Sequence, residues 1–395
     1  MAHALLGAPE KCWVACAASR AAFQAAGQHR NVATMLTQEL DWAMYYRNDQ
    51  PEALAWLAAE TERAVVRAAS AAPRASPRLP LMPYFWLTGR WGEARAAARR
   101  AGSPQQDYRG WIWPGPWFAR VVRAQGDRDT AWELVRSAMP GGPQADPHAE
   151  LAQALAWQRL AAGLALDAGD LPLAHAWLSA HDRLLAWSGA VLGRAEGALG
   201  WAAYHRAAGD LAAARTRAEA ALAHAADPRQ PFALLAARRL LGELDTAAGR
   251  HAGAAAHLDA ALRLANACAA PFEQALTLLA LVELRVATGE HDEATRLLGD
   301  ARALLAPLEA RPALARADAL AARLAAAPAV LPFGLSAREA EVLRLVAQGL
   351  TDAQVAERLF LSPFTVKAHL RSIYGKLAVE NRAAASRLAA ERGLA

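Results

Sequence analysis

The sequence predicts an all-α protein, a long stack of helical hairpins followed by a small four-helix domain. Three observations carry that prediction. Ala, Leu and Arg dominate a composition that is 54% hydrophobic, a mixture that favours helix throughout. A turn signature recurs with a period near 40 residues. The C-terminal segment strings together three helix-start signals at short spacing. At 395 residues the chain is long enough for two or three domains, or for one solenoid and a small domain.

The repeat is a turn residue, four further residues, then Ala. It reads GRWGEA from Gly89, GDRDTA from Gly126, GDLPLA from Gly169, GDLAAA from Gly209, GRHAGA from Gly249 and GEHDEA from Gly289, at intervals of 37, 43, 40, 40 and 40. Asn48, which like Gly tolerates a left-handed backbone, begins NDQPEA one interval earlier, and Gly7 stands one interval before that, with the small Cys12 five residues on. In each unit the glycine ends one helix in a left-handed turn, and the Ala packs closely on that helix. Leu241, Gly242, Ala254, Leu258 and Ala261 occupy marker positions of tetratricopeptide repeats, which the pattern resembles. Its longer period implies longer helices, as in the tetratricopeptide-like sensor arms of large bacterial regulators. Stacked hairpins of this kind imply a right-handed superhelix with a concave groove.

Several stretches interrupt the pattern. Six residues precede Gly7, so the opening hairpin has its second helix, about Pro9 to Ala26, and almost none of its first. Its apolar residues Trp13, Val14 and Phe23 are expected to need cover, from further chain, self-association, a partner, or Met1 to Gly7 folded back as a turn. Ala72 to Pro83 contains four prolines and reads as an inter-repeat loop. All 13 tryptophans lie between Trp13 and Trp201, most densely in YRGWIWPGPWF from Tyr108 to Phe118. Trp111, Trp113 and Trp117 either line an effector pocket, since rigid aromatic surfaces suit sugars, peptides or apolar ligands, or fill an irregular junction where Ala is too small. AAPAVLPFG, from Ala326 to Gly334, has two prolines, a glycine and no charge, and is the expected hinge. The division that follows is a repeat region over 1–327, a linker over 328–334 and a terminal domain over 335–395.

The terminal domain is well punctuated. Ser336 and Glu339 form one capping box and Thr351 and Gln354 a second, each opening a short helix. The third helix begins with Ser362 at its cap and Pro363 at the first helical position, where a missing N–H costs nothing. Within it Val366, Leu370, Ile373 and Leu377 form one apolar stripe at helical period. Lys367 and Arg371 stand on another face, and the stretch from Ser362 to Leu377 contains no acidic residue. Asn381 caps a fourth helix that ends near Gly393. The chain has three lysines against 40 arginines, and two of the three, Lys367 and Lys376, fall in this third helix. Residues 333–395 hold nine Lys and Arg against six Asp and Glu, so the basic excess of a chain with net charge +5 is concentrated here, as nucleic-acid binding requires.

These residues, LSAREAEVLRLVAQGLTDAQVAERLFLSPFTVKAHLRSIYGKLAVENRAAA, resemble the C-terminal DNA-binding domain of LuxR-type (GerE- or FixJ-type) transcription regulators. The resemblance implies that the third helix enters the major groove and that the fourth helps the domain dimerise. It places Lys367, Ala368 and Arg371 where base-reading residues stand, and Thr365, His369 and Lys376 near the DNA backbone. Three positions depart from the pattern: Phe364 replaces a usual polar residue, Ala378 a usual glycine, and Glu380 an often basic one. The whole is expected to be a transcription regulator binding double-stranded promoter DNA as a homodimer, acting with RNA polymerase and sensing a protein or small-molecule effector through its solenoid. An interaction scaffold whose terminal domain docks a protein is the competing reading.

Other classes find no support in the residues. The large regulators of this arrangement often carry an ATPase, yet the one Gly-Lys pair, Gly375-Lys376, lies inside the third helix and belongs to no phosphate-cradling loop. No HExxH, G-x-S-x-G or dinucleotide fingerprint occurs, and no catalytic function, cofactor or metal is expected. Cys12, Cys16 and Cys268 are an odd, sparse set that suits a reducing compartment and reads as small buried residues. No signal peptide and no uncharged apolar run of spanning length occurs, so a cytoplasmic protein with no membrane contact is expected.

Overall fold

The computed structural model describes residues 2–69, 78–102, 114–144, 150–326 and 335–391. They separate into two compact units, Met1–Ala321 and Ala322–Ala395. The expected linker, 328–334, lies outside the described residues.

Among the described residues the first unit is helical from end to end. It begins with α1 (Ala2–Leu5), α2 (Pro9–Ala25), α3 (His29–Tyr46) and α4 (Pro51–Ala69). Next come α5 (Met82–Thr88), α6 (Trp91–Ala101), α7 (Gly115–Ala124) and α8 (Arg128–Ala138). The later hairpins are α9 (Leu151–Asp167) with α10 (Leu171–Ser188), α11 (Arg194–Ala207) with α12 (Leu211–Ala226), α13 (Pro231–Ala247) with α14 (His251–Ala267), and α15 (Pro271–Thr288) with α16 (His291–Leu305). The helix α17 (Arg311–Ala326) follows.

The repeat signature works as its chemistry requires. Gly89, Gly126, Gly169, Gly209, Gly249 and Gly289 all take φ between 71° and 84°, a region costly for any residue with a Cβ. Where Asp follows the glycine it caps the next helix: the carboxylates of Asp127, Asp170 and Asp210 accept from the backbone N–H groups of Thr130, Leu173 and Ala213 at 3.2, 2.9 and 2.9 Å. Five residues after each glycine, Ala94, Ala131, Ala174, Ala214, Ala254 and Ala294 are wholly buried. Gly242 shows how close the paired helices come, since a Cβ there would lie 2.5 Å from Leu258 Cγ.

The N-terminal hairpins depart from the pattern. Asn48 is not left-handed. It is buried instead, and its amide donates to the carbonyl of Met44 at 2.7 Å, closing the end of α3 with a side chain where the other units use a glycine turn. The register then slips by one, so that Ala53 is exposed and Leu54 buried. Gly27, at φ 68°, makes an additional left-handed turn between α2 and α3. The repeat pattern passes over it because the buried residue five positions on is Val32, not a small one. Of the expected loop from Ala72 to Pro83, residues 72–77 lie outside the described residues, and beyond them Pro80 lies in a 3-10 turn and Pro83 in the first turn of α5, where proline is tolerated.

Helix α2 buries Cys12 and Cys16 against its neighbours and leaves Val14 72% exposed, while Trp13 carries the Arg47 guanidinium 4.5 Å from its ring centroid. Residues 2–7 lie against another part of the same unit. The carbonyl of Leu5 accepts from the N–H groups of Val191 and Leu192 at 2.8 and 3.1 Å, and that of Ala4 accepts from the Tyr46 hydroxyl at 2.7 Å.

The Leu5 contact belongs to a series. Arg229 pairs with Asp49, 180 residues away, and the Gln125 amide donates to the carbonyl of Leu308, 183 residues away, at 2.9 Å. At the same spacing Gly89 meets Pro271, and Trp86 and Trp91, stacked at 5.3 Å, receive the edge of Phe272. The turns of the N-terminal hairpins therefore rest on turns of the C-terminal ones. A solenoid repeat ordinarily touches only its neighbours.

Beyond the end of α17, the second unit has four helices among its described residues: α18 (Ala337–Ala347), α19 (Asp352–Leu359), α20 (Pro363–Leu377) and α21 (Arg382–Glu391). Its core joins Val342, Leu343 and Val346 of α18, Val355 and Ala356 of α19, the predicted stripe Val366, Leu370, Ile373 and Leu377 of α20, and Ala385 and Ala389 of α21.

Candidate nucleic-acid interface

The start signals read in the terminal domain all form. Ser336 and Glu339, and Thr351 and Gln354, make reciprocal capping boxes. Ser362 caps α20, its hydroxyl accepting from the Thr365 N–H at 3.0 Å, and Asn381 caps α21, accepting from the Ala384 N–H at 2.9 Å. Between α19 and α20 the chain turns through Phe360 at φ 55°, with the Leu361 N–H reaching back to the Ala356 carbonyl at 2.9 Å. The turn is thus fixed by backbone bonds, and α20 leaves it at a set angle.

Burial of one stripe of α20 dictates what the other presents. Phe364, Lys367, Ala368, Arg371 and Gly375 are exposed, while Thr365 and His369 are half-buried at the edges. Lys367 and Arg371, one turn apart with the small Ala368 between them, project two cations from a helix whose far side is packed. The Thr365 hydroxyl is shared with Ser362 at 2.8 Å.

Lys376, for which the resemblance implied a place near the DNA backbone, is engaged within the domain. Its ammonium lies 2.6 Å from Glu339 Oε2, and the same carboxylate accepts from the Ser372 hydroxyl at 2.6 Å and the Ser336 N–H at 2.7 Å. Burial opposes the charge on Glu339, but hydrogen bonds from Lys376, Ser336 and Ser372 outweigh it and hold the carboxyl at about 2. Glu339 is thus both a helix cap and the anchor of α20, and Lys376 supplies its counter-charge. Arg382 is similarly engaged, with Asp352 at 2.6 Å and with the Leu350 carbonyl. The sequence signal for Glu339 was the capping box, which announces the cap but not the lysine that arrives from 37 residues downstream.

The expected aromatic pocket divides. Trp111 and Trp113 lie outside the described residues. Trp117 is 3% exposed: its indole N–H donates to Asp41 Oδ1 at 2.7 Å, Tyr45 packs on it at 5.9 Å, and the Arg120 guanidinium lies 4.4 Å over its ring. It is a packed core group with no open face for an effector, because the junction it fills requires a side chain of its volume. Burial raises the Asp41 carboxyl to about 7 against the opposing pull of Trp117 and Arg120. Cys12, Cys16 and Cys268 are buried free thiols. Among the described residues no group of His, Cys, Asp and Glu is arranged to hold a metal, and no helix is long and apolar enough to cross a membrane.

Comparison with known proteins places this geometry. Residues 334–389 match the sequence model of bacterial regulatory proteins of the luxR family. An HTH-type transcriptional regulator of Mycobacterium tuberculosis is 44% identical over 59 residues, 15% of this chain and 7% of that protein. The transcriptional regulatory protein SgaR of Hyphomicrobium methylovorum is 51% identical over 51 residues, 13% of this chain and 24% of that one. The nitrate/nitrite response regulator protein homolog of Haemophilus influenzae is 48% identical over 52 residues, 13% of this chain and 25% of that one. This chain therefore spans at most a quarter of these relatives' lengths. Among solved structures, the APC/C heterotetramer Cut9–Hcn1 is similar with a TM-score of 0.48 at 15% identity, over 78% of this chain and 55% of that one. A signal-transduction ATPase of Pyrococcus horikoshii with a tetratricopeptide repeat sensor is similar with a TM-score of 0.44 at 13% identity, over 87% and 51%. Residues 334–389 are a luxR-family helix-turn-helix DNA-binding domain, carried in one chain with a tetratricopeptide-like helical solenoid.

Proposed function

We propose that this chain is a transcription regulator that binds promoter DNA as a homodimer, laying α20 in the major groove so that Lys367, Ala368 and Arg371 face base edges and Thr365 and His369 flank the phosphates. The observation that supports it is the α20 face itself, two exposed cations around a small residue on a helix pinned from behind by Glu339 and the apolar core. In this reading 335–395 is the DNA-binding domain and 1–327 is a sensor for a protein or small-molecule effector. RNA polymerase is the partner on the promoter, in the cytoplasm, and no catalysis is involved.

Selection of duplexes from a random pool by the full chain tests the reading, followed by a salt series on the winning sequence. With Lys376 and Arg382 engaged inside the domain, Lys367 and Arg371 bring about four cations per dimer into the field of the duplex, where they displace its counterions whether they meet bases or phosphates, and affinity should fall on the order of a hundredfold between about 50 and about 200 mM salt. Binding that ignores salt would overturn the assignment. Comparing the full chain with residues 335–395 alone tests whether the solenoid governs binding; equal affinities for every sequence would remove it from that role.

A further inference from the structure

The terminal domain leaves two large apolar side chains in water. Phe360, in the turn between α19 and α20, is 96% exposed, and Phe364, in the first turn of α20, is 82% exposed. Core packing does not explain either, since the buried stripe of α20 is complete without them. Phe364 stands three residues before Lys367, four before Ala368 and seven before Arg371, so it extends the exposed stripe by one turn toward the helix N-terminus. In a helix-turn-helix that end of the recognition helix contacts base edges. The cap at Ser362 and the proline at 363 fix the backbone of this turn, so the ring projects from a held position.

A phenyl ring in a cationic stripe can neither pair with a phosphate nor hydrogen-bond a base. Of what the major groove displays, one feature suits it: the 5-methyl group of thymine, the single apolar group among the acceptors and donors of the four base pairs. The neighbouring cations match the charge of the duplex, which is why the surface favours nucleic acid over an apolar protein partner. We propose that Phe364 is a specificity-determining residue that packs on a thymine methyl at the edge of each half-site, next to the bases faced by Lys367 and Arg371. The inference rests on the DNA-binding reading above.

The test uses the full chain and a duplex it selects from a random-sequence pool, with each thymine replaced in turn by deoxyuridine, which removes the methyl and nothing else. One position per half-site should respond, with affinity falling about three- to fivefold, the worth of one buried methyl. Phe364→Ala should bind the original duplex more weakly by the same factor and show no thymine-to-uridine difference, while Phe364→Leu should keep part of it. The exposed ring makes no fold contribution, and an unchanged melting temperature of the Ala variant checks that. A duplex bound equally well with uridine at every position would overturn the inference and mark the ring as a protein-docking surface instead. Sensitivity that survives in Phe364→Ala would assign the methyl to another side chain and also overturn it. Failure to select any duplex would overturn the DNA-binding reading beneath it, a result separable from the other two.

Discussion

Two cations of the same helix that look alike in the sequence have different jobs. Arg371 is exposed, and in the proposed complex its planar fork would meet guanine bidentately, so Arg371→Ala should cost about 1–3 kcal/mol on a selected site and much less on random DNA. Lys376→Ala should instead destabilise the domain by about 1–3 kcal/mol, because it strips the ammonium from a buried carboxylate, with DNA binding of the remaining folded protein little changed. Denaturant melts of the domain alongside binding on both DNAs separate the two; equal losses on both sequences for Arg371→Ala would reduce it to a phosphate contact. In the solenoid, Asp41 is a carboxyl raised from 3.8 to about 7 by burial. A raised pKa means that the folded state holds its proton more tightly than the unfolded one. The contribution of Asp41 is thus complete below about pH 4 and is lost as pH rises through 7. Asp41→Asn, which keeps an acceptor for Trp117, should flatten that slope and stabilise the first unit on the order of 1–4 kcal/mol at pH 8. Parallel slopes in the two proteins would show that Asp41 stays neutral or solvated throughout.

The helix ends carry the next level of specification. The glycine turns of the solenoid satisfy their geometry at no steric cost, and Asp after glycine caps the following helix, so the G-D pairs mark hairpin tips for a physical reason. The end of α20 is different. Ala378 takes the left-handed conformation, φ 50°, at a helix end where glycine would incur no steric cost. That strain costs about 1 kcal/mol, and Ala378→Gly should recover about 0.5–1 kcal/mol in thermal or denaturant melts, with the Val379 N–H to Tyr374 carbonyl closure unchanged. A destabilised Gly variant would mean that the Ala methyl is packed and the strain is balanced locally. Asn48 shows the converse solution, a helix ended by a side-chain amide, and it displaced the following register by one residue.

For the first unit as a whole, contacts between turns about 180 residues apart turn a linear stack into one that closes on itself. Stability there should be less local than in an open solenoid, where each repeat leans on its neighbours only. Phe272→Ala removes the ring that seats on Trp86 and Trp91, and should lower amide protection in α5, α6 and α15 together, by about 2–4 kcal/mol of opening free energy. Loss confined to α15 would indicate that the hairpins open independently.

Legible in the residues alone were the helical class, the glycine-turned hairpin tips from Gly89 onward, the four caps of the terminal domain and its apolar stripe, because each rests on groups within a few residues: a glycine and its φ, a side-chain oxygen and an N–H three positions on, a period of 3.6. The same stripe shows which face of α20 stays in solvent, since burying Val366, Leu370, Ile373 and Leu377 leaves Lys367, Ala368 and Arg371 outside. The tertiary structure alone decided that Lys376 belongs to Glu339, that Trp117 is bound by Asp41 and Arg120, and that the Leu5, Asp49 and Gly89 turns find their partners 180 or so residues on. Those pairings depend on how helices distant in the chain are brought together, and the accumulated geometry of many packed repeats sets that, which no local spacing encodes.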